Sequence, residues 1–375
     1  MTPDTDLSTM PTHNPENERI KHRYFAYLKE AQRRGEPSVD AAAKALNRFE
    51  SYTRFKSFRV FHYEQAIAFK RHLAEQANVR TRAPLSKATI HSTLAALKSF
   101  FFWLADQPGF RSRLRYSDAN YFNMAERDVR IARTRLDKPY PSLEEVQHVI
   151  RTMPANDAIQ LRDRALVAFI LLTATRDGAV KSLKLKHLDL IAGCLIHDAR
   201  EVTTKFGKSF ATTFYPVGDD VRRIVEEWVA FLTKELLWAP TDPLFPATRV
   251  DGGAGQAFHA AGLTREHWTT GDPVRTVFKR AFKAAALPYY SPHRLRDTIV
   301  SLGKRSCRTM EAFQAWGENM GHSNMATTFG SYGAISGARR AEIIRGIVVD
   351  APPPAQVLDE MAAVLAKYRG RPTMS

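Results

Sequence analysis

The sequence predicts a mainly α protein in two domains, with a small β-sheet confined to the second. Apolar residues recur at helical spacing over most of the chain, and 375 residues leave room for two cores. A highly charged, proline-ended stretch near residues 125–139 separates a helix-rich first part from the rest. Beyond it, two short runs on either side of a glycine turn read as strands.

Residues 1–19 are polar and proline-bearing and are expected to form a disordered tail, lacking the charged and apolar regions of a signal peptide. From 20 to 125 the pattern is that of a helical domain with few glycines. Leu46, Phe49 and Tyr52 recur at helical spacing, as do Ala66, Phe69 and Leu73. Ser86 is placed to cap a helix running through Leu94, Leu97, Phe101 and Leu104. One face of that helix carries Lys87, His91 and Lys98, which suit phosphate binding and a solvated surface equally well. The other carries Phe100, Phe101, Phe102 and Trp103, read as core. Residues 126–140, with Arg127, Arg130, Arg133, Arg135 and Lys138, are read as a basic linker, able to lie along DNA or simply to be solvated.

Ser142 opens the second domain, 141–350, with Glu145 completing a capping box. A strongly apolar run at 165–172 should be buried, and it leads into Thr173-Ala174-Thr175-Arg176-Asp177-Gly178. Residues 194–204 and 210–217 read as strands joined through Lys205-Phe206-Gly207-Lys208-Ser209, where Gly207 suits a tight turn. A helix is expected over 220–237. A loop-rich insertion through Asp251-Gly252-Gly253-Ala254-Gly255 should follow, then a basic helix with Arg275, Lys279, Arg280 and Lys283. From 292 to 347 the pattern fits short helices. In the tail, 351–375, Val357, Met361, Leu365 and Tyr368 form one stripe of an amphipathic helix.

Composition narrows the function. A formal net charge of +16 favours a polyanionic partner, although a basic enzyme with solvated lysines has the same balance. Two distant cysteines, Cys194 and Cys307, without ligand spacing, argue against a disulfide framework or a zinc site. No run approaches the roughly 18 apolar residues of a membrane span. A reducing, cytoplasmic setting is expected.

Reactive residues concentrate at 291–332, where Ser291-Pro292-His293-Arg294-Leu295-Arg296 precedes Gly321-His322-Ser323 and Tyr332. His293 and Arg296 are spaced to share a helix face. The Arg296 guanidinium is a planar fork for phosphate oxygens, and Arg176 supplies a second. Two such clamps neutralise charge as a phosphorane-like transition state forms. A tyrosine nucleophile titrates near pH 10, so ionising it at pH 7 costs about 4 kcal/mol, which cations or a base such as His293 must offset. Lys205, before a glycine turn, can protonate the departing 5′-oxygen. His322 can hydrogen-bond a non-bridging oxygen. No carboxylate cluster for Mg²⁺ accompanies these residues. Each also has a purely structural reading: Arg176 paired with Asp177 or Asp189, Lys205 and Lys208 at a hairpin tip, His322 as a helix cap, Tyr332 as a packed aromatic. Taken jointly, and in this order, they favour DNA cleavage by a phenol oxygen.

The blocks at 173–176, 205–208, 293–296, 321–323 and 327–332 resemble those of the tyrosine recombinase (phage integrase) family. The resemblance covers roughly 140–348 as a mixed α/β catalytic domain, and more weakly 20–125 as an all-helical, SAM-like core-binding domain. It implies Arg176 and Arg296 as phosphate-binding arginines, Lys205 as general acid and His293 as acid/base. It puts His322 at the His/Trp position and Tyr332 at the nucleophile. It further implies a site-specific recombinase or integrase of a mobile element that needs no cofactor. Such an enzyme acts on double-stranded DNA as a homotetramer in a synaptic complex, through a 3′-phosphotyrosine. An accessory DNA-bending or directionality factor and a nucleoid-associated location fit that implication, as does a tail helix docked on a neighbouring protomer. Lys208, Lys279 and Arg280 join Lys87, His91 and Lys98 as candidate DNA-binding cations.

The chain departs from the family pattern in four places. Ala174 replaces the usual glycine, Ala179 the usual glutamate, and Asp297 a frequent histidine. Tyr332 lies one position further from His322 than is commonest, and Tyr289 and Tyr290 are its rivals. A type IB-like topoisomerase and a non-catalytic DNA-binding protein on the same fold are the alternative functions.

Overall fold

The computed structural model describes residues 13–78, 82–134, 138–204, 207–252, 258–321 and 359–363. Lys205, His322 and Tyr332 fall outside these residues. The chain divides into two compact units, Met1–Arg135 and Leu136–Ser375. Among the described residues, no helix is long and apolar enough to cross a membrane.

The first unit is helical: α1 (Pro15–Ala26, continuing as a π-helical turn Tyr27–Ala31), α2 (Glu36–Tyr52), α3 (Tyr63–Glu75), α4 (Lys87–Ala105), α5 (Tyr116–Ala119) and α6 (Glu126–Arg133). Helix α1 begins inside the stretch expected to be disordered. The Asn14 side chain accepts from the Glu16 and Asn17 backbone N–H groups, Pro15 sits in the first turn, and Glu16 and Glu18 meet the positive helix end. Asn17 then anchors the start. Fully buried, it donates to Glu50 Oε1 and to the Lys56 carbonyl, while Lys21 pairs with the other Glu50 oxygen at 2.6 Å.

Ser86 caps α4 through the Thr89 N–H at 3.1 Å. Leu97, Phe100, Phe101 and Leu104 are completely buried, and the Phe101 ring stacks on Phe61 and Phe122. Of the aromatic face of α4, Phe100 and Phe101 are core, while Phe102 and Trp103 are partly buried against it. Helix α6 occupies the first part of the stretch expected to be a linker. Its acids lie in the first turn and its arginines in the last, Arg130 bonds Glu126 one turn back at 3.3 Å, and Asp128 pairs with Lys87 of α4 at 3.1 Å.

The second unit opens with α7 (Leu143–Thr152), whose Ser142–Glu145 capping box has both hydrogen bonds. It continues through α8 (Ala158–Thr173), α9 (Asp177–Val180) and an antiparallel sheet of β1 (Leu188–Asp189), β2 (Cys194–His197) and β3 (Phe210–Thr213), in that order. There follow α10 (Asp219–Ala230), β4 (Pro246–Gly252), β5 (Phe258–His267), α11 (Asp272–Ala284), α12 (Pro292–Ser306) and α13 (Met310–Asn319). Helix α8 is the axis of this core, with every residue from Ala165 to Leu171 fully buried.

Strand β2 is shorter than the sequence pattern implied. The Asp198 carbonyl turns the chain by accepting from Glu201 and Val202 N–H. The glycine-rich segment read as an insertion is flanked by two paired strands, β4 and β5, in register Arg249↔Gly262. Buried Arg162 of α8 staples that hairpin to the core, donating to the Pro246 carbonyl and Thr248 Oγ1. In the tail, residues 359–363 are helical.

Candidate active site

Helix α8 ends at Ala174, which is left-handed (φ 50°, ψ 28°) and wholly buried. This reversal turns Thr175 inward and brings Arg176, in extended conformation, to the start of α9. A left-handed alanine costs about 1–2 kcal/mol, and this explains why a glycine would suit the position. Burying its methyl returns about 0.8 kcal/mol. Ala174→Gly should therefore leave the thermal midpoint unchanged or raise it slightly, whereas Ala174→Val, with a branched side chain at positive φ in a closed core, should lower it by many degrees.

Arg296 arrives from α12 and is 5% exposed. Its Nη1 donates to the Ala174 carbonyl and its Nη2 to the Met320 carbonyl at 3.0 Å. Met320 is held in turn by the last turn of α13. There Asn319 exchanges two hydrogen bonds with the Thr213 backbone, and the Asn319 carbonyl accepts from Thr212 Oγ1. Gly321 follows in left-handed conformation (φ +73°). A Cβ there would fall 2.7 Å from the Phe210 ring, so only glycine fits. Just beyond it lies the His322 position.

Arg176 and Arg296 line one small cavity of about 20 Å³, with Thr204, Phe210 and Met320. Arg176 is half-buried and makes no hydrogen bond or ion pair among the described residues. Burial lowers its pKa; Arg296 is lowered to about 10, first by burial and then by the Arg176 charge. The carboxylates that could neutralise them are engaged elsewhere. Asp177 binds Arg275 at 3.1 Å, Asp297 binds Arg294 at 2.6 Å, and Asp189 accepts from the Ile191 and Ala192 N–H groups. The structural reading of Arg176 as a partner of Asp177 or Asp189 is thereby excluded.

His293 stands in the first turn of α12, exposed on its outer side. The surrounding protein and the neighbouring Arg296 charge nevertheless push its pKa below the ordinary imidazole value. Of the rival tyrosines, Tyr290 packs edge-on against Phe282 and Tyr289 is surface-exposed. Among the candidate DNA-binding cations, Lys87 pairs with Asp128, Lys98 donates to Asn123 Oδ1, and Arg280 is held by Asp163 at 2.8 Å. His91 is half-buried, and Lys208 and Lys279 are exposed. A larger, more open groove lies in the first unit, among Arg23, Tyr27, Arg34 and Trp103. Among the described residues no cluster of three or more His, Cys, Asp or Glu is placed to hold a metal ion.

One site residue was not anticipated. His197 of β2 is 3% exposed, lines the same cavity and stacks on Phe210 with ring centroids 4.2 Å apart. Period-two alternation with buried Leu195 was the signal that it faces inward.

No protein-family model matches the chain. Among curated proteins it is similar to the tyrosine recombinase XerC of Escherichia coli O157:H7, 24% identical over 249 residues, 66% of this chain and 70% of that protein. It is also similar to XerC of Halalkalibacterium halodurans, 24% identical over 285 residues, 73% and 82% of the two chains. Among solved structures, XerH recombinase bound to palindromic difH aligns with TM-score 0.59 at 17% identity, covering 87% of this chain and 84% of that one. A lambda integrase dimer bound to a COC′ core site gives 0.57 at 14%, covering 89% and 79%. The Tn1549 transposon integrase with transposon right-end DNA gives 0.56 at 16%, covering 87% and 98%. The motif blocks stand in the order of tyrosine recombinases and integrases, these relatives are what the chain is similar to, and the solved structures share its mainly α fold.

Proposed function

We propose that this protein is a site-specific DNA recombinase that seats a scissile phosphate between Arg176 and Arg296. One observation carries the reading: two guanidinium groups line a single cavity, and Arg176 has no partner among the described residues. Burying cations without carboxylates is costly, and an incoming oxyanion removes that cost. Thr204 and Met320 line the cavity too, so the described chain leads to the Lys205 and His322 positions from its edge.

In the proposed reaction the Tyr332 oxygen attacks phosphorus, and a 3′-phosphotyrosine forms as the bond to the 5′-oxygen breaks. His293 takes the phenolic proton, and Lys205 protonates the departing 5′-oxygen. Arg176, Arg296 and His322 hold the non-bridging oxygens as charge builds. The free 5′-hydroxyl of a partner strand then reverses the step, and double-stranded DNA is exchanged within a homotetramer. Origin in a mobile element, an accessory bending or directionality factor and association with the nucleoid belong to the same proposal. The two-unit layout supports exchange over simple relaxation, because exchange needs protomers held together on DNA.

Covalent capture tests this. The full chain is incubated with a library of nicked duplex fragments, and protein–DNA adducts that survive denaturing electrophoresis are sequenced. Wild type should give an adduct and Tyr332→Phe none. An adduct that persists in Tyr332→Phe and vanishes in Tyr290→Phe would move the nucleophile. If plasmids carrying the captured sequence are relaxed but never exchanged, the chain nicks and reseals instead.

A further inference from the structure

His197 is a polar group of this cavity that the family blocks do not account for. Its ring is enclosed, and its Nδ1 is buried with no hydrogen-bond partner among the described residues. An orphaned buried ring nitrogen is costly, and such atoms are rare enough to need an explanation. Packing alone does not provide one, since a phenylalanine would stack on Phe210 without that cost. The ring lines the cavity that Arg176 and Arg296 also line, so an oxyanion bound there would lie beside the imidazole.

We propose that His197 is a third anion-contacting residue of this site, donating from Nδ1 to a phosphate-class oxyanion held by the two arginines, and that it takes up one proton from solvent as the anion arrives. The inference rests on the phosphate-binding reading above. The charged groups acting on the ring are Arg296 from α12, Arg176 ahead of α9, and His187 from the turn Leu185–His187 before β1. All are cationic or can become so. Burial first, and these charges second, hold the imidazole neutral, with a pKa lowered to about 4. An anion between the guanidiniums cancels that field, and the imidazolium then becomes a charge-assisted donor. His197 would thus couple occupancy to protonation.

The sign follows from linkage. A group that binds a proton only when the anion is present makes anion affinity rise as pH falls, approaching about tenfold per unit for one coupled proton. His293, whose pKa is also lowered, responds to the same Arg296 and Arg176 charges. The observable must therefore belong to the His197 ring itself.

The probe is inorganic sulfate, whose charge is constant across the range used, titrated into the full-length protein labelled with ¹⁵N-histidine between about pH 5 and pH 8. His197 ring resonances are assigned from their absence in His197→Gln. With saturating sulfate they should shift to the imidazolium position at a pH where the sulfate-free protein keeps them neutral. Replacement by glutamine should remove that share of the pH dependence of sulfate affinity while binding itself persists. The proposal fails if sulfate saturates the Arg176 and Arg296 side-chain resonances and the His197 nitrogens stay neutral at every pH. It fails equally if the pH slope is the same in His197→Gln. Neither result touches the recombinase reading, which stands or falls on the Tyr332 adduct.

Discussion

Arg176→Met should abolish covalent adduct formation and leave the protein as stable as before, or more so. The two effects have one cause. The Arg176 charge is partly stripped of water, faces the Arg296 charge and has no hydrogen bond or ion pair among the described residues to lose. Methionine keeps much of the volume and removes the unfavourable charge. In the transition state the same charge is needed. Loss of one preorganised donor costs about 10²–10³ in rate, and a charged clamp should cost at least that. Thermal denaturation and the rate of adduct formation check both halves. A lower midpoint with adduct formation intact would make Arg176 a structural residue.

The largest loss of stability should come from Arg162→Ala, remote from the cavity. Arg162 is 3% exposed and makes four hydrogen bonds: two to Asp163 Oδ1, one to the Pro246 carbonyl and one to Thr248 Oγ1. Its guanidinium also lies 5.1 Å from the Trp268 ring centroid. Removing it strands a buried carboxylate, with only Arg280 still bound, and frees the β4–β5 hairpin from α8. Breaking a buried pair from one side costs about 3–5 kcal/mol.

The cost should depend on pH, with a sign that can be worked out. Burial raises the Asp163 pKa, and Arg162 is the main opposing influence. Without Arg162 the folded-state pKa rises further above the unfolded value. A raised carboxyl pKa favours the folded state only where the group is protonated, so its penalty grows as pH rises through the folded pKa. Urea denaturation should therefore show a larger loss at about pH 8 than at about pH 5. An equal loss at both values would mean that packing, and not the stranded charge, dominates.

Much of the fold and part of the site were legible because their signals are local. Ser86, and Ser142 with Glu145, announce helix starts within four residues of chain. Buried Leu97, Phe101 and Leu104 recur at the period of the helix that buries them. Arg176 and Arg296 stood out only jointly with His293, His322 and Tyr332, because two guanidinium forks in that company suit phosphate oxygens. What escaped depends on distant partners. Helix α6 forms where a linker was expected because Asp128 meets Lys87 and acids and arginines happen to suit its two ends. The β4–β5 hairpin follows no clean alternation and is pinned by Arg162, more than eighty residues upstream. The early start of α1 depends on Asn17 finding Glu50 and Lys56.

By itself the sequence determined the helical character of both units, the segments that are buried and the kind of chemistry the polar residues could perform. Those follow from side-chain size, polarity and spacing, which act over a few residues. Only the tertiary structure decided that Arg176 and Arg296 share one cavity, that their neighbouring carboxylates are taken by Arg275 and Arg294, and that His197 joins them with an unmet hydrogen bond. Electrostatic fields and desolvation depend on what comes together in space, and the order of residues along the chain does not specify it.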